Sequence, residues 1–328
     1  MRQFCTSLDI HHININQNQF NMNKLSEANK QYLYDKQLNY IYDHITTGLE
    51  REKNGIDYMN AYQRVFTIID NGECHPQEAI DFYLQQVQRY LNYAAPKITE
   101  AVGDNKLEEY IKCFNNTTLC INWLQRIFNF IDNTYISSIF GAHSLIVRGL
   151  EQFKNQIFDN FIDSILDEIF MMIQKEREGI YININTIKET LKCLRVTSYN
   201  NATIECINGK LKWKRLAPIL NMHYDCDEDE KWYENHVEIP YLNKSEAYYR
   251  GKTLEWFLKK TAIEYLYEIE RVIDKETSKP IEFFSHATRR QILSMLHEEL
   301  IHKYAMKIVE KDMSGLHYML KNSKRDDI

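Results

Sequence analysis

The stretch YENHVEIPYLNKSEAYYR (233–250), continued by EYLYEIERVIDKE (264–276) and ELIHKYAMKIVEKDMSGLHYMLKN (299–322), decides the fold. It is helical in pattern, rich in Tyr along its first helix, and closes on an acidic–Leu–Tyr–Met–Leu element. It holds no catalytic constellation. Pro240 lies just inside the first helix, where it would remove a hydrogen bond, so a start at Glu238 or Ile239 is expected there. Breaks are expected near Gly251, Pro280 and Asp312.

The same character extends upstream. The chain has 328 residues, with only 10 Gly and 5 Pro, which favours long uninterrupted helices. Residues 1–30 are Asn/Gln-rich and weakly patterned, the composition of a flexible arm. Helical patterning begins near Gln31 and ends near Thr47. A second helix is predicted from about Asp57 to Ile69, where Tyr58, Tyr62, Val65 and Ile69 share one face. His75-Pro76 opens a third, running to about Tyr93, with Pro96 as the next break. A fourth helix follows, and a fifth covers Thr117 to Ile131. A long element from Ser138 to Arg177 carries Phe153, Ile157, Phe161, Ile165, Ile169 and Ile173 at four-residue steps, with a break expected near Gly149 to Glu151. Gly179 closes it. A short helix runs from Asn183 to Leu194, capped by Asn183 or Asn185. Around Asn208-Gly209 two alternating runs, Thr203–Ile207 and Lys210–Lys214, predict a hairpin. It sits in an insertion spanning 197–232.

Composition excludes several function classes. The 40 basic and 46 acidic residues leave a net charge of −6, with no surplus of cations to neutralise a phosphate backbone, so no nucleic-acid role is expected. No run of about 18 apolar residues exists to span a membrane. Seven scattered cysteines (5, 74, 113, 120, 193, 206, 226) never adopt CxxC spacing, which predicts reduced thiols in a cytoplasmic or nuclear protein.

Two motifs invite metal readings and fail them. In His297-Glu298-Glu299-Leu300-Ile301-His302 the histidines are five apart, whereas a zincin helix needs four to aim both imidazoles at one ion. The run Asp225, Asp227, Glu228, Asp229, Glu230 lacks the glycine and terminal glutamate of a calcium loop. No phosphate loop, dinucleotide fingerprint or nucleophile elbow is present. No metal, cofactor or catalytic residue is expected.

The second and fifth helices carry wider apolar arcs than one core face needs. Met59 and Phe66 lie off the line of Tyr58, Tyr62, Val65 and Ile69. In the fifth, Leu119, Ile121, Trp123, Leu124, Ile127, Phe128, Phe130 and Ile131 point in nearly every direction. Such arcs mean burial on several sides, or one stripe for the core and one for a partner.

Taken together, these residues resemble the N-terminal scaffold of cullins. Tyr233, Glu238, Leu242, Ser245, Tyr248 and Tyr249 follow that family's mid-arm pattern. Glu264, Tyr265, Leu266, Glu268, Glu270 and Glu276 follow its next helix. Leu300, Ile301, Asp312, Leu316, Tyr318, Met319 and Leu320 follow the element after that. Upstream, YMNAYQRVF (58–66) is similar to the family's second-helix adaptor motif and NWLQRIF (122–128) to its fifth-helix segment. IQKEREG (173–179), with Asn183 and Ile187, is similar to the segment between repeats. No single motif is specific, but six occur in order.

The resemblance implies an all-α fold of stacked five-helix repeats forming an elongated rod: repeat 1 over 31–133, repeat 2 over 134–282 with the insertion, and the start of repeat 3 over 283–328. It implies a non-catalytic scaffold of a ubiquitin ligase. Its adaptor partner, a BTB-fold protein of Skp-like, elongin-like or BTB–receptor type carrying a substrate receptor, would bind through Tyr58, Met59, Tyr62, Phe66 and Trp123. Trp123 stands where the family usually has Tyr. The family's RING-binding half is not in this sequence, so no RING subunit is expected on the chain as it stands, which could then compete for adaptors. A helical tether with no ubiquitin link is the rival expectation.

Overall fold

The computed structural model describes residues 25–47, 58–139, 142–198, 202–207, 210–215, 232–278 and 286–322. Residues 1–24 of the expected N-terminal arm, the acidic run and the expected break at Pro280 lie outside them; the rest of that arm is described, and from Glu27 it is helix rather than a flexible segment, with Leu25 and Asn29 buried. Among the described residues the fold is all-α with one hairpin. The helices are α1 (Glu27–Leu33), α2 (Asn39–Thr47), α3 (Tyr58–Asp70), α4 (Pro76–Glu100), α5 (Asp104–Thr134), α6 (Leu145–Phe153), α7 (Asp159–Arg177) and α8 (Ile184–Ser198). After strands β1 (Ala202–Ile207) and β2 (Lys210–Arg215) come α9 (Ile239–Lys259), α10 (Ala262–Thr277), α11 (His286–Leu296), α12 (Ala305–Val309) and α13 (Leu316–Lys321). The strands pair antiparallel with Ile207 opposite Lys210, the register of a two-residue connection.

Several expected breaks are absent. Pro96 lies within α4, which continues to Glu100. A mid-helix proline frees the carbonyl four residues earlier, that of Asn92. Both residues are exposed, so water can satisfy that group, while Leu91, Ala94 and Ile98 stay buried on the opposite side. The turn comes instead at Gly103, whose φ of 59° is left-handed. The fourth and fifth helices expected from the sequence are one helix, α5. Gly149 lies inside α6 and Gly251 inside α9, and neither breaks its helix. A glycine costs a helix only about 1 kcal/mol, less than the burial of Leu145 and Phe153 to either side of Gly149 returns.

The irregularities are π turns, which periodicity does not announce. They cover Tyr34–Leu38, Lys154–Phe158, Glu234–Glu238 and His297–Ile301. The first joins α1 to α2, so helix begins at Glu27 rather than near Gln31, with the Ser26 hydroxyl capping the Asn29 amide. The third ends two residues before Pro240. Helix therefore starts ahead of the proline rather than at Glu238 or Ile239, and the widened turn accommodates the ring. The second buries Ile157 and Phe158 together and turns Phe161, expected in the core stripe, to the boundary.

The described residues fall into two compact units, one within Met1–Gln86 and Cys120–Leu145, the other within Val87–Leu119 and Ile146–Ile328. In the first, Ile41, Ala61, Val65, Ile68, Ile80, Tyr83, Ile121, Leu124, Ile127 and Phe128 form the core. Tyr83 is wholly buried and donates its hydroxyl to the Leu145 carbonyl at 2.9 Å, and the Asp132 carboxylate takes the Leu145 amide, also at 2.9 Å.

In the second unit, Phe153 packs on Tyr110 and Phe114, and Ile165, Ile169 and Ile173 continue the buried stripe. Its polar centre is Arg177, at the end of α7. The Arg177 Nε donates to Glu276 at 2.8 Å, and its Nη2 donates to Ser245 at 2.7 Å and Tyr241 at 3.1 Å. Tyr241 and Tyr249 give their hydroxyls to the two Glu276 oxygens, at 3.0 and 2.6 Å. Burial works against the Arg177 cation, but Tyr241, Glu276 and Tyr249 outweigh it and raise its pKa. Residues from the first two segments of the opening stretch, Tyr241, Ser245, Tyr249 and Glu276, thus meet here in one buried cluster joining α7, α9 and α10.

Candidate partner-binding face

In α3 the side chains that go deepest are Ala61, Val65 and Ile68. The expected line of Tyr58, Tyr62, Val65 and Ile69 is therefore not the core line; only Val65 belongs to it. Tyr58, Tyr62, Phe66 and Ile69 sit half-buried along one flank, and Met59 is 68% exposed beyond them. The same division holds in α5. Ile121, Leu124, Ile127, Phe128 and Ile131 are buried, while Trp123 and Phe130 are half-exposed. Each helix thus carries a core stripe and a second aromatic stripe beside it, one of the two arrangements the wide arcs allowed.

The second stripes meet. Phe66 and Phe130 make an edge-to-face contact with centroids 4.9 Å apart, and the Arg126 guanidinium lies 5.6 Å from the Tyr58 ring centre. Trp123 packs against His44 of α2 at 5.0 Å, and His44 stacks on Tyr40 at 6.4 Å. Burial raises the Tyr58 phenol; Arg126 opposes that and Tyr40 adds to it, leaving a pKa of about 12. The phenol therefore remains neutral across the physiological range. All five residues expected at a binding site, Tyr58, Met59, Tyr62, Phe66 and Trp123, lie on these two helices within one compact unit. Tyr40 and His44 were not expected. They lie on a separate helix, and only tertiary packing brings them to Trp123.

Among the described residues no group of three or more His, Cys, Asp or Glu could hold a metal ion. The π turn at His297–Ile301 changes the angle between His297 and His302 from that of an α-helix, yet both imidazoles are exposed, and Glu299 pairs with Lys303 and Arg250. No helix among the described residues is long and apolar enough to cross a membrane.

The signature residues converge on Arg177 and Glu276, and the family comparison agrees with them. The family model for the Cullin alpha solenoid domain matches residues 36–328. The chain belongs to the cullin family. Cullin-1 of Oryza sativa subsp. japonica is 22% identical over 275 residues, 83% of this chain and 33% of that protein. Cullin-3A of Arabidopsis thaliana is 21% identical over 298 residues, 90% of this chain and 35% of that protein. The chain thus spans about a third of the length of these curated cullins. A putative cullin-like protein 2 of Arabidopsis thaliana is 22% identical over 286 residues, and the match covers 69% of it. The buried cluster gives these cullin motifs a structural meaning: Arg177, Ser245, Tyr249 and Glu276 hold three helices together.

Proposed function

We propose that this chain is a non-catalytic scaffold arm of a cullin-type ubiquitin ligase, holding a BTB-fold adaptor and its substrate receptor on the aromatic face of α3 and α5. The observation that carries the reading is the second stripe. Tyr58, Tyr62, Phe66, Trp123 and Phe130 form a half-exposed aromatic surface that the core does not use. Tyr, Trp and Arg are the residue types that dominate binding hot spots. The face lies on the helices where the sequence places the family's adaptor motif. On this reading repeat 1 covers 31–133, repeat 2 covers 134–282, repeat 3 begins at 283, and the protein works in the cytoplasm or nucleus.

The test is binding of purified Skp-like, elongin-like and BTB–receptor adaptors to the wild type and to Tyr58→Ala/Tyr62→Ala. One adaptor class should bind the wild type saturably. The double variant should lose at least about 2 kcal/mol of that affinity while still melting cooperatively, since both side chains lie outside the core line. Equal binding by both proteins would remove these residues from the interface. Binding of no adaptor class would leave the ligase reading without support.

A further inference from the structure

We propose that a cleft between α7 and α9 is a separate protein-binding site. It takes one large apolar side chain of a partner segment, while a backbone carbonyl of that segment accepts a hydrogen bond from Arg177. The site lies within the second compact unit and does not depend on the adaptor reading above.

The cleft has a volume of ≈ 590 Å³, and every residue lining it belongs to α7 or α9. Much of its wall is apolar or aromatic. Phe170, Met171 and Ile173 come from α7, with Met171 46% exposed, and Ala247 and Tyr248 come from α9. Binding clefts are typically of roughly 300–1,000 Å³, with largely apolar walls and a few placed polar groups that orient what enters. Here the placed group is the Arg177 guanidinium, which borders the cleft although its side chain is only 5% exposed. Its Nε and Nη2 donate to Glu276, Ser245 and Tyr241. Among the described residues nothing accepts from its Nη1, and that atom is not sealed from solvent. A rigidly held cation thus keeps unspent N–H groups beside an apolar cleft.

The surrounding charges decide which acceptor suits those groups. Arg177 is already matched by Glu276, whose oxygens accept from Arg177, Tyr241 and Tyr249. At the rim Lys244 lies over the Phe170 ring and pairs with Asp167 at 3.0 Å. Lys252 and Glu178 act on Tyr248 in opposite senses. Positive and negative groups therefore balance, and an incoming carboxylate would meet Glu276 and Asp167 without a spare cation to offset them. A neutral carbonyl satisfies Nη1 without that repulsion, and leaves no donor unmet when docking excludes water. A peptide segment brings the carbonyl and an apolar anchor together within one residue.

The experiment uses the full chain with isotope-labelled methionine methyl groups, observed by NMR, with the Met171 signal assigned from Met171→Leu. Three small probes are titrated. N-acetyl-phenylalaninamide carries a neutral carbonyl and an apolar ring, phenylacetate the ring with a carboxylate, and N-acetyl-glycinamide the carbonyls alone. The first should shift the Met171 methyl saturably, at about millimolar concentration for so small a ligand. The other two should bind about tenfold more weakly or worse, since each lacks one of the two recognised parts. Ala247 and Gln174 line the cleft from α9 and α7 and are both exposed, so Ala247→Trp and Gln174→Trp fill it from either side. Each should abolish the saturable shift, while Ala247→Ser keeps it. If one Trp variant melts lower than the wild type, the other decides. Phenylacetate binding as tightly as the amide would make the site an anion site and overturn the carbonyl assignment. Equal shifts with N-acetyl-glycinamide would remove the apolar anchor. No saturable shift with any probe, or one that both Trp variants leave intact, would overturn the site while leaving the adaptor reading untouched.

Discussion

Arg177 and Glu276 are ninety-nine positions apart in sequence, and their side chains are 5% and 0% exposed. A buried ion pair adds little net stability over a well-packed apolar pair, but removing one member leaves an uncompensated charge. Arg177→Met should therefore lower unfolding free energy by about 3–5 kcal/mol in urea denaturation. The double change Arg177→Met/Glu276→Leu should lose less than the sum of the two single losses, because the second change removes the stranded carboxylate. Full additivity would mean that the two side chains do not act as a pair. Tyr58 supports a pH prediction. Its folded pKa of about 12 lies above the unfolded value near 10, so the unfolded chain releases the proton first as pH rises. The contribution of Tyr58 is intact below pH 10 and is lost as pH climbs from there toward 12. Stability of Tyr58→Phe should fall less steeply over that window than that of the wild type. Identical slopes would mean that the phenol is not buried as described. At this scale the sequence disclosed residue types but not their partners. Tyr58, Tyr62, Phe66 and Trp123 stood out as surplus aromatics, whereas Tyr40, His44 and the guanidinium–ring contact of Arg126 depend on packing between separate helices.

At the scale of the element, most helices were legible because their apolar spacing is strong, and the errors share a cause. Gly149 and Gly251 are weak breakers and Pro96 a stronger one, but all three are set against long buried faces, and the faces prevail. The π turns escaped because one inserted residue leaves the surrounding periodicity intact. Ends set by specific contacts make sharper predictions. The Thr261 hydroxyl accepts the Glu264 amide while the Glu264 carboxylate accepts the Thr261 amide, a reciprocal cap on α10. Thr261→Ala should cost about 1 kcal/mol. Gly315 opens α13, and a Cβ there would lie 2.5 Å from the Val309 carbonyl oxygen and 2.6 Å from the Lys311 amide nitrogen. These are backbone atoms and cannot swing aside. Gly315→Ala should therefore cost about 1–3 kcal/mol, more than the cap, although it adds only a methyl group. Equal losses for the two variants in parallel thermal melts would show that the turn at 311–315 opens without cost to α10.

At the scale of the whole molecule, two kinds of residue divide the chain. Those that make the sequence recognisable as a cullin, around Arg177, Ser245, Tyr249 and Glu276, are buried in one compact unit and lie off the candidate face. Those proposed to bind are half-exposed in the other. On the proposed reading, family signature and adaptor binding would be carried by different residues of a chain that is 21–22% identical to these curated cullins. The division is measurable by amide exchange with and without a bound adaptor. A partner that docks rigidly slows exchange where it covers or steadies helix, and leaves units it does not touch unchanged. Protection should appear in peptides covering 58–70 and 120–134, extending to 39–47 if Tyr40 and His44 take part. Peptides covering 241–249 and 264–276 should exchange as in the free chain. Protection confined to those last peptides would place the partner on the signature residues instead, and would overturn the assignment of the aromatic face.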